Sequence, residues 1–303
     1  MNFYELKAFA ALSEQLHFAK AAAQLNMSPS ALSRIISRLE EETGRELVNR
    51  SSRQVSLTDD GATFAEFAGT ILEERMELDA RFSGNQDTIA GTLRVYASVT
   101  ACYTILPLFI RQLAAKYPAV QLSVETGDPA GAIPAVREGR AALAVAAIPE
   151  DGLSYLETIR IKKTPLIYAA AHSGPYREIG GSPQDIISSV PLILPKTGPA
   201  RRRFDRWTKS RNVRPSIIAE TEGNEAILAL ASLGLGIGLV PQIVLESGPY
   251  TNGFVVHPAG NTMGWYDIGF IRRAEIYGTR ASRRIQQAVS DILHTTDWSR
   301  AGL

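Results

Sequence analysis

The chain has 303 residues, 45% hydrophobic and 21% charged, which suits two or three globular domains with ample material for buried cores. A formal net charge of +1 excludes a polycation that coats nucleic acid indiscriminately, and a single cysteine, Cys102, excludes an internal disulfide. No stretch reaches the ~18 apolar residues of a membrane span, and the N-terminus, with Glu5, lacks an export-signal pattern. A cytoplasmic location without membrane contact is therefore expected.

Phe3 to Leu16 places Leu6, Phe9 or Ala10, Ser13 and Leu16 on one face of a first amphipathic helix. The alanine-dense run Ala19 to Ala23 predicts a second helix that a neighbour can approach closely. Ser28 followed by Pro29 is a strong start signal for a third helix, which buries Leu32, Ile35 or Ile36, and Leu39 and stops at Gly44. The opposite face of that third helix carries Ser30, Ser33, Arg34, Ser37 and Arg38. Two helices joined by a tight turn in this way form a helix-turn-helix, which inserts its second helix into the DNA major groove. Leu47–Arg50 and Gln54–Leu57, around a Ser51-Ser52-Arg53 turn, predict a small β-wing.

Charge in this region is a matter of placement. The first sixty residues carry a net −1, yet five of their seven cations lie between Arg34 and Arg53, on the groove-facing helix and the wing. Thr58 with Asp59 and Asp60 then opens another helix, predicted to run to about Asp87. Phe64, Phe67, Ile71, Leu78 and Phe82 recur along it at near-heptad spacing. A helix of ~30 residues is ~45 Å long, too long for a small winged domain to cover its apolar stripe. A second copy of the chain is the simplest cover.

After Gly91 the pattern alternates. Strands are predicted at Leu93–Ala97, Gln121–Glu125, Ala142–Ala147, Leu166–Ala170, Leu192–Leu194, Ile217–Glu220, Ile237–Val240 and Ile268–Ile271. Helices are predicted at Thr104–Lys116, Asp128–Glu138, Pro199–Lys209, Asn224–Leu233 and Ala281–His294. Such alternation signals α/β units around a largely parallel sheet.

An Ala-Ala pair at Ala21-Ala22, Ser28-Pro29, Leu32-Ser33-Arg34, Leu39-Glu40-Glu41 and a wing ending in Leu57-Thr58, all in register, resemble the LysR-type transcriptional regulators. The resemblance extends over the full length. It implies an α+β multidomain protein: a winged helix-turn-helix over 1–58, a dimerising linker helix over 59–90, and an effector-binding domain over 91–303. That domain would be of periplasmic-binding-protein type, with lobe I at 91–162 and 268–303 and lobe II at 163–267. Ser98-Val99-Thr100-Ala101, Thr126-Gly127-Asp128, Gly198-Pro199 through Arg203, and Pro241 through Glu246 are similar to the branch of the family that activates isoleucine–valine biosynthesis and responds to acetohydroxy acids. Many members place Gln after the Ser-Arg pair of the recognition helix; this chain has Ile35, so an operator sequence does not carry over.

The DNA-contact candidates are Ser28, Pro29, Ser30, Ser33 and Arg34, where an arginine reads guanine bidentately and helix amides hold a phosphate. Arg53 at the wing tip suits a minor groove or phosphate. Arg38 and Arg50 suit phosphate contact as well as plain solubility. For the effector, Ser98 and Thr100 follow the first strand of an α/β lobe and precede a helix, the usual cradle for a small anion. Thr126 and Gly127, after the second strand, line the same cleft by that geometry. Lys196, Gly198 and Arg201 open a helix in the other lobe, and Asn224 is either a ligand contact or a cap. At most one or two of Arg201, Arg202 and Arg203 face a cleft, since three consecutive residues cannot share one helical face.

No enzyme is expected: there is no Gly-x-Ser-x-Gly elbow, and Gly234-Leu235-Gly236-Ile237-Gly238 reads as a helix end feeding a strand. The four histidines have no metal-ligand spacing, and no cofactor or metal is expected. Cys102 reads as a small buried residue rather than a redox sensor. The expected partners are double-stranded DNA with dyad symmetry, a small carboxylate co-inducer, RNA polymerase, and further copies in a homodimer or homotetramer. The alternatives are a regulator of another pathway answering to a different organic acid, or a solute-binding protein.

Overall fold

The structure, a computed structural model, describes residues 1–49, 55–82, 88–149, 152–246, 252–260, 263–275 and 279–298. It divides into two compact units, Met1–Gly91 with Tyr277–Ile285, and Thr92–Ile276 with Gln286–Leu303.

In the first unit, α1 (Phe3–Gln15) opens with a reciprocal cap: Asn2 accepts from the N–H groups of Tyr4 and Glu5, and the Glu5 carboxylate accepts from Asn2 N at 2.8 Å. Its buried face is Leu6, Ala8, Phe9, Ala11 and Leu12. Leu16, expected on that face, is instead the exposed C-cap at φ 44°, because His17 already caps the next helix and the chain must turn there. In α2 (Phe18–Gln24) Ala21 and Ala22 are fully buried, and their small side chains let neighbouring helices pack close. α3 (Pro29–Thr43) starts where Ser28 Oγ accepts from Ala31 N at 3.2 Å and ends at Gly44, φ 66°. It drives Leu32, Ile36 and Leu39 into a core shared with Phe9 and Leu12.

The wing is the antiparallel pair β1 (Val48–Asn49) and β2 (Ser56–Leu57). Glu40 anchors it to α3, its Oε1 accepting from Leu47 N at 3.0 Å and Val48 N at 3.1 Å. α4 (Asp59–Phe82) is capped by Thr58, whose hydroxyl accepts from Gly61 N at 2.9 Å. Gly61 is required: a Cβ there would lie 1.9 Å from the Leu47 carbonyl oxygen. The 24 residues of α4 span about 36 Å, and 83–87, into which the helix was expected to continue, lie outside the described residues. Phe64, expected in the heptad seam, packs edge-on against Phe9 at 4.8 Å and so belongs to the helix-turn-helix core. Phe67, Leu78 and Phe82 remain exposed.

The second unit is built on β3 (Gly91–Ala97), β4 (Val120–Thr126), β5 (Leu143–Ala147), β6 (Leu156–Ala171), β7 (Leu192–Pro195), β8 (Ile217–Thr221), β9 (Ile237–Pro241), β10 (Phe254–Pro258) and β11 (Trp265–Arg273). Their hydrogen-bonded order is β4-β3-β5-β11-β6-β9-β7-β8, with β10 also on β6. The sheet is mixed, not largely parallel. β3 with β5, and β7 with β8 and β9, run parallel, whereas β11 pairs antiparallel with β5 and β6, and β6 with β9 and β10. The cause is β6 and β11, long antiparallel strands that join two halves. β6 holds β11 through Leu156–Pro165 and then β9 from Leu166 onward.

Helices cover both faces: α5 (Val99–Tyr103), α6 (Leu106–Lys116), α7 (Ala132–Arg137), α8 (Pro183–Ser189), α9 (Gly198–Arg211), α10 (Asn224–Ser232), α11 (Ile243–Glu246) and α12 (Arg280–Thr295). One half packs Tyr96, Ala132, Val136 and Ile271 together. The other has a core on each side of the sheet, around Tyr168, Phe204 and Trp207, and around Ile193, Ile227 and Val240. Among the described residues, no helix is long and apolar enough to cross a membrane.

Candidate functional site

On the first unit, the solvent face of α3 carries what the sequence placed there. Ser28, Pro29, Ser30, Arg34 and Arg38 are exposed and Ser33 is half-buried. Ser28 is partly occupied: its hydroxyl caps α3 and lies 3.0 Å from the Ser30 hydroxyl. Arg34 makes no ion pair among the described residues. Arg38 does, with Glu5 at the start of α1. Burial pushes the Glu5 carboxyl up, but the Asn2 N–H and Arg38 together outweigh it and hold the group below the usual range. Arg50 and Arg53 lie outside the described residues.

In the second unit a cleft opens between the two halves of the sheet. The carboxyl ends of β3, β5, β7 and β9 and the starts of α5, α9 and α10 surround it, the customary position for a ligand in an α/β domain. Ser98, Thr100, Gly198 and Asn224, four of the eight residues proposed from the sequence, line it. Ser98 and Thr100 already have partners there. Ser98 Oγ caps α5 by accepting from Ala101 N at 3.2 Å, and Thr100 donates to Glu225 Oε1 at 2.9 Å.

The other four sit elsewhere. Thr126 is exposed at the end of β4, and the space beside Gly127 is filled by the Tyr96 hydroxyl, 2.3 Å from where a Cβ would stand. Lys196 projects outward, 3.6 Å from Glu222. Arg201 is held by Glu220 and Asp205. Arg203 turns its guanidinium onto the Tyr266 ring at 4.2 Å from the centroid and donates to Met263 O at 3.2 Å. None of the three consecutive arginines lines the cleft: Arg201 is held by carboxylates, Arg203 by that ring, and Arg202 is exposed.

Asp128, expected from the sequence only as the start of a helix and as part of the Thr126-Gly127-Asp128 likeness, also lines the cleft. Its Oδ1 accepts from Ala130 N at 2.7 Å and its Oδ2 from Gly223 N at 2.9 Å, a bond from one half to the other. The signal was present in Asp128-Pro129, a helix-start pair directly after the second strand. Glu225, which accepts from Thr100 across the cleft, and Tyr266, a core residue of β11 that lines it, were invisible, since nothing local marks either position.

The donors the cleft offers an anion are backbone amides. Neither Thr197 nor Gly223 caps its helix through a side chain, and at α10 the Gly223 N–H already donates to Asp128, so the amides offered are those of the first turns beyond these residues. Thr197, Gly198 and Ala200 of one helix, and Gly223 and Asn224 of the other, line the cleft. Helix N-termini presented in this way receive anionic groups. Cys102, beside this cradle, is half-buried rather than buried as expected, and its thiol is pushed up by that partial burial and by Glu225.

A winged helix-turn-helix joined to a two-halved ligand cleft defines a DNA-binding regulator governed by a small molecule. Residues 3–62 match the model of the bacterial regulatory helix-turn-helix proteins of the LysR family, and 86–292 match the LysR substrate binding domain. The chain belongs to the LysR family of transcriptional regulators. It is 35% identical over 255 residues to the HTH-type transcriptional activator IlvY of Salmonella typhimurium, covering 82% of this chain and 85% of that one. Identity to the IlvY regulator of Escherichia coli K12 is also 35%, over 82% and 84% of the two chains. The full-length structure of CbnR complexed with its target DNA aligns at TM-score 0.65 and 23% identity, covering 96% of this chain and 99% of that one, a likeness of fold. The protein is a DNA-binding transcriptional regulator, not an enzyme.

Proposed function

We propose that this protein activates a gene of branched-chain amino acid biosynthesis in response to an acetohydroxy acid such as acetolactate. The observation that carries the effector reading is the pair of helix starts without side-chain caps, α9 and α10, facing one cleft. They suit the carboxylate of a small acid without any side-chain cation. The kinship with IlvY activators supports the pathway.

On DNA, the starts of two α3 helices enter successive major grooves of a dyad-symmetric site. Ser28, Pro29, Ser30, Ser33 and Arg34 face the bases and backbone, and Arg38, Arg50 and Arg53 face phosphates. Exposed Phe67, Leu78 and Phe82 on α4 support pairing with a second copy, as a homodimer or a homotetramer. Ligand favours one arrangement of the two halves and so shifts the bend of the DNA or contact with RNA polymerase. A cytoplasmic location follows from that work.

Thermal shift against branched-chain pathway intermediates, followed by footprinting on the promoter of acetohydroxy acid isomeroreductase, tests this reading. Acetolactate is expected to raise Tm and alter the footprint. Stabilisation by an unrelated acid alone refutes the pathway, and no protected site under any condition refutes the target.

A further inference from the structure

The cleft presents one charged side chain among its lining residues, and that charge is negative. Lys196 and Arg201 are engaged elsewhere, and among the described residues no lysine, arginine or histidine lines the space. Asp128 contributes a carboxylate whose two oxygens have about four lone-pair sites. Two are filled, by Ala130 N at 2.7 Å and Gly223 N at 2.9 Å. The rest of its capacity is unfilled by these two bonds, and Asp128 lines the cleft.

An anion entering such a site meets a like charge in a medium less polar than water, and no side chain compensates. Backbone amides at the starts of α9 and α10 accommodate one acid group. They do not accommodate a second beside Asp128. The approach becomes favourable when the ligand offers Asp128 a hydrogen. Position limits where that hydrogen sits. Asp128 is bonded to Gly223, the residue that opens α10. The start of α9 adjoins the same turn, since a Cβ on Gly198 would lie 3.6 Å from the Ala130 methyl group, two residues after Asp128. A carboxylate received by these amides therefore comes in beside Asp128, and the donor it brings nearest to Asp128 is the one borne next to that carboxylate.

We propose that Asp128 is a specificity-determining residue that reads a hydrogen-bond donor, hydroxyl or ammonium, on the carbon next to the ligand's carboxylate. It rejects dianions and acids lacking the donor. This rests on the reading above that the cleft takes a small carboxylate, and it adds what the rest of that molecule must carry.

The test is calorimetric titration of the full-length protein with acids of matched size. Acetolactate and 2-hydroxy-3-methylbutanoate carry the hydroxyl, valine carries the ammonium, 3-methylbutanoate carries neither, and methylmalonate is the dianion. At least one donor-bearing acid is expected to bind about tenfold or more tighter than 3-methylbutanoate and methylmalonate. Which one leads decides between hydroxyl and ammonium. In Asp128→Ala that preference is expected to collapse to within about threefold, while 3-methylbutanoate binds no worse. Asp128→Asn, which keeps the size and one acceptor oxygen, is expected to lose the preference in part, and it serves if the alanine variant does not fold. Equal binding of donor-bearing and donor-free acids by wild type, or an undiminished preference in both variants, overturns the role of Asp128 and leaves the carboxylate reading standing. Failure of every acid to bind overturns both.

Discussion

Arg34→Ala separates the two jobs an arginine does on DNA. Its side chain is exposed at the solvent face of α3, nearly two turns beyond the cap at Ser28, and makes no ion pair among the described residues. Removing it takes away no internal contact, so Tm is expected to hold, with folding stability changed by less than about 0.5 kcal/mol. Loss of a bidentate base contact costs about 1–3 kcal/mol at each half-site, roughly 5- to 150-fold in affinity, and a dyad site counts the loss twice. Arg38 one turn on is a useful contrast. It is bonded to Glu5, whose carboxylate is buried, so Arg38→Ala is expected to lower Tm as well as DNA affinity. Fluorescence anisotropy at fixed salt, on the operator and on a scrambled duplex of equal length, measures both variants. Arg34→Ala is expected to weaken the operator complex at least tenfold more than the scrambled one. Equal losses, with a salt slope reduced by about one, make Arg34 a phosphate contact and refute its assignment to base readout.

Phe9 is fully buried and meets Phe64 edge-on at 4.8 Å, so Phe9→Ala is expected to destabilise the first unit by about 3–5 kcal/mol, checked by urea unfolding; a loss under about 1 kcal/mol refutes this packing. The Glu5 carboxyl is held below its usual value, so its contribution is complete above about pH 4.3 and is lost as pH falls through its folded value. Between pH 6 and pH 3 the Tm of wild type is therefore expected to fall more steeply than that of Glu5→Gln; parallel slopes refute the linkage. Cys102, its thiol pushed up by burial and by Glu225, is expected to alkylate with iodoacetamide at pH 7 far more slowly than free cysteine, and to speed up on unfolding. Equal rates in the folded and unfolded chain contradict its partial burial.

Local chemistry determined much of this protein from its sequence alone. Ser28-Pro29 and Gly44 bracket α3 as read, because a cap and a left-handed stop act within one turn of backbone. Ala21 and Ala22 announced a close helix contact, because a methyl group has no other way to fill a core. The strands flanked by helices were legible from apolar runs. The first half of β6 was not: its Glu157, Arg160, Lys162 and Lys163 hide a strand that only its pairing with β11 reveals. The same long pairing made the sheet mixed, where alternation alone predicted parallel.

The cleft divides in the same way. Ser98, Thr100, Gly198 and Asn224 were legible because each opens or precedes a helix at a strand's end, a position written in the adjoining residues. The charge of the site was not. Sequence offered Lys196 and Arg201, and tertiary structure gave both to nearby carboxylates while turning Asp128 inward against Gly223, 95 residues away. Backbone caps depend on neighbours in the chain, whereas a long side chain takes whichever partner folding brings within about 3 Å, a choice made only once the two halves have met.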